Sequence, residues 1–155
     1  SMIRILYIIL FSLIVANCSF NKVLKKHGVR NLEKKQEKLI IGKSNINDIK
    51  MLLGPPSTKS TFDNDIWIFI EREISTEPLI KLGKKKLIKN NVLVVEIDNK
   101  GLMLKKDFYD ITKMNKIRFS KKKTEEKYTK KSFVYDFLSS MRQKINDPLG
   151  KRKKP

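Results

Sequence analysis

The sequence predicts an α+β protein in which two short N-terminal helices pack on a three-stranded antiparallel meander, with an amphipathic helix at the C-terminus. Three observations predict this class. Residues 41–67 contain a sharply bounded helical stretch directly before a β-branched and aromatic strand. A second apolar strand then leads into a tight-turn sequence, and apolar residues at helical spacing follow near the end of the chain. Helices followed by a run of strands are typical of two-layer α+β domains.

The two N-terminal helices have clear boundaries. The first is predicted over residues 31–40 with Asn31 as its cap, because apolar residues recur there at helical spacing among charged ones. The second begins at the cap Ser44 and ends at Gly54, since glycine adopts the left-handed conformation and Pro55 cannot continue a helix. Its apolar positions share one face: Ile46, Ile49, Leu52 and Leu53.

The meander is predicted from three apolar segments. Residues 66–73 form the first strand and residues 92–97 the second. Asp98 and Gly101 bound a tight turn that leads into a third strand from Leu102. Residues 75–89 are predicted to be a long exposed connection, because they contain proline, glycine and a lysine run.

The first strand is apolar on both faces. Alternation places Ile66, Ile68 and Ile70 on one face, and it places Trp67 and Phe69 on the other. Two short helices can cover only one face of a sheet. We therefore expect either the C-terminal part of the chain or another molecule to cover the second face.

The N-terminus has the features of an exported lipoprotein. Residues 2–17 resemble a signal peptide, because Arg4 precedes an apolar run too short to span a bilayer. The run ends at a lipobox-like sequence whose last residue, Cys18, is the only cysteine in the chain. A covalent lipid on Cys18 is therefore the only predicted cofactor. The alternative is a buried structural cysteine in an uncleaved helix.

Composition limits the function classes. The chain has 155 residues and a formal net charge of +19, which would suit nucleic acid or an anionic membrane surface. A base-composition bias in the coding sequence could equally supply the lysines, and an export signal argues against nucleic acid. His27 is the only histidine, so neither a catalytic site nor a metal site is predicted. Residues 18–30 are expected to form a basic, lipidated tether.

The C-terminal third is predicted to be an extension. Residues 113–131 form a basic linker, residues 132–147 an amphipathic helix, and residues 148–155 a basic tail. Three apolar residues of the helix are the predicted docking positions: Phe133, Phe137 and Met141. This helix could lie on an anionic leaflet, dock on a partner or fold back over the sheet, and the last two are favoured because an anchor already exists.

Taken together, these residues resemble the BamE family, also called SmpA/OmlA, of the alphaproteobacterial type. The resemblance covers residues 28–111 and assigns 31–112 to the family domain. It rests on the order of four features behind the lipobox: Ile41-Gly42, the helix ending Leu52-Leu53-Gly54-Pro55-Pro56-Ser57, the strand Asp65-Ile66-Trp67-Ile68-Phe69-Ile70 and the hairpin closed by Gly101.

The resemblance implies a small non-enzymatic lipoprotein on the periplasmic side of the outer membrane. Such a protein would support BamA-like and BamD-like subunits of the β-barrel assembly complex and associate with the anionic phospholipid phosphatidylglycerol. The implied partner and lipid contacts lie along the first strand: Trp67, Phe69, Ile70 and Arg72. For Trp67, a buried position in the core is an equal alternative. Ser57 departs from the apolar residue that the family has at that position. The alternative is a lipid-anchored periplasmic inhibitor or binding module for a secreted protein.

Overall fold

The computed structural model describes residues 2–15, 22–78, 82–115 and 129–146. Within these ranges the strands are β1 (Val23–Gly28), β2 (Thr58–Thr61), β3 (Asp65–Thr76), β4 (Lys85–Ile97) and β5 (Met103–Tyr109). The helices are α1 (Met2–Val15), α2 (Leu32–Glu37), α3 (Ile46–Leu53), α4 (Ile111–Asn115) and α5 (Lys130–Asn146). The α+β class with an antiparallel sheet is therefore confirmed, whereas the prediction of only three strands is wrong.

The five strands form a single antiparallel sheet. Its order is β1-β3-β4-β5, and β2 also pairs with β3. The predicted meander is present as β3, β4 and β5, with Phe69 opposite Leu93 in the centre of the sheet. Both ends of the segment predicted to be a long exposed connection belong instead to these strands, because β3 extends to Thr76 and β4 begins at Lys85.

Both additional strands lie on the edge of β3 that faces away from β4. β1 pairs with the C-terminal half of β3, from Val23 opposite Thr76 to Gly28 opposite Glu71, and β2 pairs with the N-terminal half. Part of the predicted tether is therefore a strand. Every residue of β1 is exposed, so the sequence shows no alternation of buried and exposed residues that would predict a strand. Backbone hydrogen bonds to β3 hold β1 in the sheet.

One face of the sheet is covered by α2 and α3. Trp67 and Phe69 of β3 and Leu93 and Val95 of β4 pack there with the apolar residues of both helices. The α3 helix begins one residue later than predicted, because Asn45 caps it through a capping box with Asp48. The Oγ of Ser44 instead accepts a hydrogen bond from the Ile40 backbone N–H at 2.9 Å.

The start of α2 is capped by a side chain of the sheet and not, as predicted, by the side chain of Asn31. Asn31 has φ of 56° and its side chain makes no capping hydrogen bond. The carboxylate of Glu71 from β3 instead accepts hydrogen bonds from the backbone N–H groups of Asn31 at 2.8 Å and Leu32 at 3.2 Å. At the other end, the Lys106 ammonium donates to the carbonyl of Leu39 at 2.9 Å. Side chains of the sheet thus supply hydrogen bonds at both ends of this short helix.

The second face of the sheet is covered by α4 and α5. Ile66 and Ile68 of β3 and Val92 and Val94 of β4 pack with Met114, Leu138 and Met141. Of the arrangements left open by the sequence, the structure has the C-terminal helix folded back onto this face. The helix begins at Lys130, two residues before the predicted start.

Several predicted segments lie outside the described residues. These are Cys18 with the end of the predicted signal peptide, residues 116–128 of the predicted linker, and the predicted tail at 148–155. The α1 helix occupies most of the predicted signal peptide. None of the helices in the described ranges combines the length and apolar character needed to cross a membrane.

Candidate functional site

The residues implied as contacts divide between the two faces of the sheet. Trp67 is 6% exposed and Phe69 is fully buried beneath α2 and α3, with the Lys50 ammonium 5.6 Å from the centre of the Trp67 ring. Because these side chains form part of the core, the structure does not offer them to a partner. The apolar pattern of the strand could not decide which of its faces the helices would cover.

Arg72 and Ile70 lie on the face that α5 covers. The Nη2 of Arg72 donates to the backbone carbonyl of Lys144 at 3.4 Å, which places the guanidinium beneath the last turn of α5. A cation at a helix C-terminus is favourable because the terminal carbonyls carry partial negative charge. Ile70 is partly buried against the same cluster. Both residues therefore contact the C-terminal helix of their own chain.

The predicted docking residues of α5 do face an apolar surface. Phe133 and Phe137 are partly buried and Met141 is buried in the cluster on the second sheet face. The ring of Phe133 lies 6.0 Å from that of Phe62, centre to centre. In this structure, the surface that these residues contact belongs to the same chain.

A polar pocket of about 300 Å³ lies where β1, β3 and the start of α2 meet. Basic side chains and one histidine line much of it: Lys26, His27, Arg30, Arg72 and Lys89. Three of these cations have partners within the chain: Lys26 pairs with Glu73 at 3.6 Å, Lys89 pairs with Glu71 at 3.5 Å, and Arg72 donates to the Lys144 carbonyl. Four Lys and Arg side chains nevertheless line the pocket against two carboxylates, and this excess of positive charge suits a phosphate or carboxylate group. Sequence reasoning found Arg72 but missed the pocket, because cross-strand pairing brings these residues together.

A larger groove of about 480 Å³ runs between α5 and β5. Ile66, Val94 and Leu138 line it together with charged side chains. Two ion pairs lie at this groove. Lys130 pairs with Glu96, and Lys105 pairs with Asp107 at 2.9 Å.

The ion pairs and burial at this groove shift the pKa values of three of its residues. The hydrogen bond from Lys130 lowers the pKa of Glu96, and the hydrogen bond to Asp107 raises the pKa of Lys105. Burial raises the pKa of Tyr109. Away from the groove, burial lowers the pKa of Lys106, the residue that binds the end of α2.

An exposed apolar patch lies at the opposite end of β5. The Gly42 N–H donates to the Met103 carbonyl at 2.8 Å, and the Met103 N–H donates to the Ser44 carbonyl at 2.9 Å. These bonds join the α2–α3 connection to the start of β5. Four large side chains flanking the bonds are exposed: Ile40 (55%), Ile41 (52%), Leu102 (36%) and Leu104 (44%). The sequence pattern missed this patch, because it assigned Ile40 to a helix stripe and both leucines to a strand.

The Glu96–Lys130 pair predicts how the docking of α5 depends on pH. Because the folded pKa of Glu96 is lowered from its ordinary value of 4.5, its contribution is fully present above 4.5 and is lost as pH falls through the folded pKa. We expect nuclear Overhauser contacts between the rings of Phe62 and Phe133 to weaken over that acidic range. A Glu96→Gln variant should lose this pH dependence, and an unchanged profile in the variant would contradict the assignment.

In the described ranges, no three His, Cys, Asp or Glu side chains are grouped closely enough to hold a metal ion. No family model matches this chain, and no match was found for it among curated proteins or solved structures. The resemblance to the BamE family therefore remains an interpretation of the residues themselves.

Proposed function

We propose that the protein is a non-enzymatic, lipid-anchored accessory subunit of an outer-membrane β-barrel assembly complex. The observation that carries the proposal is the order of motifs along the chain: a predicted signal peptide over residues 2–17 directly before Cys18, a capped helix ending at Gly54-Pro55, and a strand bearing Trp67. A small helix pair on one face of an antiparallel sheet is compatible with this assignment. The protein would face the periplasm and act through contacts with BamA-like and BamD-like subunits.

Two surfaces support a binding function of this kind. The apolar patch around Ile41 and Leu104 has the large exposed side chains that protein interfaces bury. The pocket around His27 and Arg30 is lined by four Lys and Arg side chains against two carboxylates, and this excess of positive charge would suit the phosphate of an anionic phospholipid headgroup. The proposed subunit would therefore contact protein through the patch and lipid through the pocket.

Affinity purification from the native membrane tests the assignment. We expect the tagged protein to recover an outer-membrane barrel protein with polypeptide-transport domains and a helical-repeat lipoprotein. A variant carrying Ile41→Asp and Leu104→Asp should recover less of both, and Met51→Asp, at an exposed position on α3, is the matched control. Recovery of a soluble secreted enzyme in their place would support the inhibitor alternative.

Replacing Cys18 by alanine should release the protein from the membrane. Each buried methylene of an acyl chain contributes about 0.8 kcal/mol to membrane binding, so several chains on one cysteine make a firm anchor. Fractionation should find the wild-type protein with the outer membrane and the Cys18→Ala protein in the soluble periplasm, unless the uncleaved signal peptide holds it at the inner membrane. If the variant stayed in the outer membrane, the lipid anchor would not be the cause of localisation.

A further inference from the structure

One corner of the sheet lies close to the predicted lipid anchor. β1 begins at Val23, which lies opposite Thr76 at the end of β3, where the chain enters the β3–β4 connection. The Lys22 ammonium lies 3.4 Å from the Glu77 carboxylate, so an ion pair joins the residue before β1 to this connection. Cys18 precedes Lys22 by four residues, and four residues of extended chain span at most about 14 Å. A lipid on Cys18 would therefore hold this corner near the membrane.

The β3–β4 connection closes a hairpin at this corner. The Glu77 N–H donates to the Lys84 carbonyl at 2.9 Å, and the Gly83 N–H donates to the Pro78 carbonyl at 3.3 Å. Leu82 lies in the turn with φ of 60°, a left-handed conformation that leucine disfavours, and it is 84% exposed. Neither the turn geometry nor the core of the chain favours a large apolar side chain here. A leucine at this position therefore points to a contact outside the chain.

Two more large apolar side chains are exposed at the same corner. Val23 and Leu24 begin β1, and in the described part of the chain neither belongs to a core cluster of the sheet. Single exposed apolar residues are common on protein surfaces. Three of them close to a predicted lipid anchor form a surface that suits the boundary between the headgroups and the acyl chains of a bilayer.

The lysines at this corner are mostly free of carboxylate partners. Residues 22–25 and 82–87 contain no acidic residue and five lysines: Lys22, Lys25, Lys84, Lys85 and Lys86. Lys22 pairs with Glu77, whereas none of the other four forms an ion pair with a carboxylate of the described residues. Elsewhere on the sheet, four lysines each pair with a carboxylate: Lys26, Lys89, Lys105 and Lys130. The corner therefore has unpaired positive charge, which anionic headgroups attract.

We propose that this corner, formed by Val23, Leu24, Leu82 and the five lysines around them, rests on the anionic phospholipid leaflet that holds the lipid anchor. The inference rests on the proposed anchor at Cys18, and it adds the orientation of the folded domain on the membrane. Leu82 would insert between the headgroups, and the lysines would lie among their phosphate groups. The polar pocket opens farther along β1, so it shares this edge of the sheet.

The same orientation places the apolar patch away from the membrane. The patch lies where β4 ends and β5 begins, whereas the hairpin lies where β4 starts. β4 is 13 residues long, which corresponds to about 40 Å at the usual rise per residue. β1 and β5 are also opposite edges of the sheet. A partner that contacts Ile41 and Leu104 would therefore do so through a part that lies well away from the headgroups.

Fluorescent probes on single cysteines test this orientation. Acylation leaves Cys18 without a free thiol, so Leu82→Cys and Met51→Cys each introduce one labelling site. Both residues are 84% exposed. Met51 follows Lys50, which lies over Trp67 in the half of β3 that is distant from the hairpin, so it is a matched control. The labelled, lipidated chains are reconstituted into vesicles of phosphatidylethanolamine and phosphatidylglycerol that carry a nitroxide quencher on a lipid headgroup.

We expect the nitroxide to quench the Leu82 probe at least threefold more strongly than the Met51 probe. Three substitutions at the corner should at least halve the quenching of the Leu82 probe: Lys84→Glu, Lys85→Glu and Lys86→Glu. Three at exposed positions elsewhere should leave it unchanged: Lys43→Glu, Lys59→Glu and Lys100→Glu. Equal quenching of the two probes would overturn the proposal. Equal effects of the two charge reversals would also overturn it, since net charge alone would then explain the contact with anionic lipid.

Flotation of the same vesicles separates this inference from the proposed anchor. Both labelled proteins are expected to float with the vesicles on a density gradient. If neither floated, the lipid anchor itself would be wrong, and the orientation that rests on it would be overturned as well. If both floated while the Leu82 probe was quenched no more than the Met51 probe, the anchor would stand and the inferred orientation alone would be overturned.

Discussion

Substituting Gly28 by alanine is expected to lower the free energy of unfolding by about 3 kcal/mol. A Cβ at this position would lie 2.0 Å from the carbonyl oxygen of Ile70, far inside van der Waals contact. Gly28 also has φ of 80°, which a side chain disfavours. The clash cannot be relieved freely, because the next N–H, that of Val29, donates to the same oxygen at 2.8 Å. Chemical denaturation of the variant measures the loss.

Gly42 provides a matched control for the conformational part of this effect. Its φ is 74°, close to that of Gly28, but a Cβ there would have nothing within 4 Å. Gly42→Ala should therefore cost only about 1 kcal/mol, the ordinary penalty for a side chain in the left-handed region. Equal losses in the two variants would show that the close approach between β1 and β3 contributes nothing.

The parts of the fold that could be predicted have local causes. The α3 helix is bounded by a cap and by Gly54, and the β4–β5 hairpin turns where Asp98 accepts hydrogen bonds from the N–H groups of Lys100 and Leu102. Such signals act over a few residues and are visible in the sequence. The apolar character of both faces of β3 likewise predicted that both would be covered, and the two core clusters confirm it.

The parts that could not be predicted depend on distant pairing. β1 and β2 contain the sequences Val-Leu-Lys-Lys-His-Gly and Thr-Lys-Ser-Thr, which have no regular apolar alternation. They become strands because the outer edge of β3 offers unpaired backbone groups along its length. Neither strand alone has a reason to be extended, so propensity and periodicity give no signal for them.

The same limitation applies to the candidate binding surfaces. The alternation of side chains along β3 places Trp67 and Ile68 on opposite faces of the sheet. Only the tertiary structure shows that Trp67 packs against α2 and α3 and that Ile68 packs beneath α5. The apolar patch forms because backbone hydrogen bonds bring the α2–α3 connection to Met103, far along the chain. Sequence patterns predict which apolar residues will be buried. Which element buries them depends on the packing of the tertiary structure.

Replacing Glu71 by alanine should lower the free energy of unfolding by about 3 kcal/mol. Its carboxylate is the acceptor for the first N–H groups of α2, at Asn31 and Leu32, and for the Asn91 side-chain amide at 3.1 Å. Leu32 is fully buried, so its N–H could not turn to water without opening the core. Chemical denaturation measures the loss, and hydrogen exchange of the α2 amides should rise in parallel.

Two variants separate the capping function of Glu71 from its charge. Glu71→Gln keeps one acceptor oxygen and should lose about half as much stability as Glu71→Ala. Glu73→Ala removes a carboxylate from the same strand that pairs with the half-exposed Lys26 at 3.6 Å, and it should cost less than about 1 kcal/mol. If Glu73→Ala were as costly as Glu71→Ala, the loss would reflect the basic surroundings of both carboxylates, and α2 would not depend on the sheet for its first hydrogen bonds.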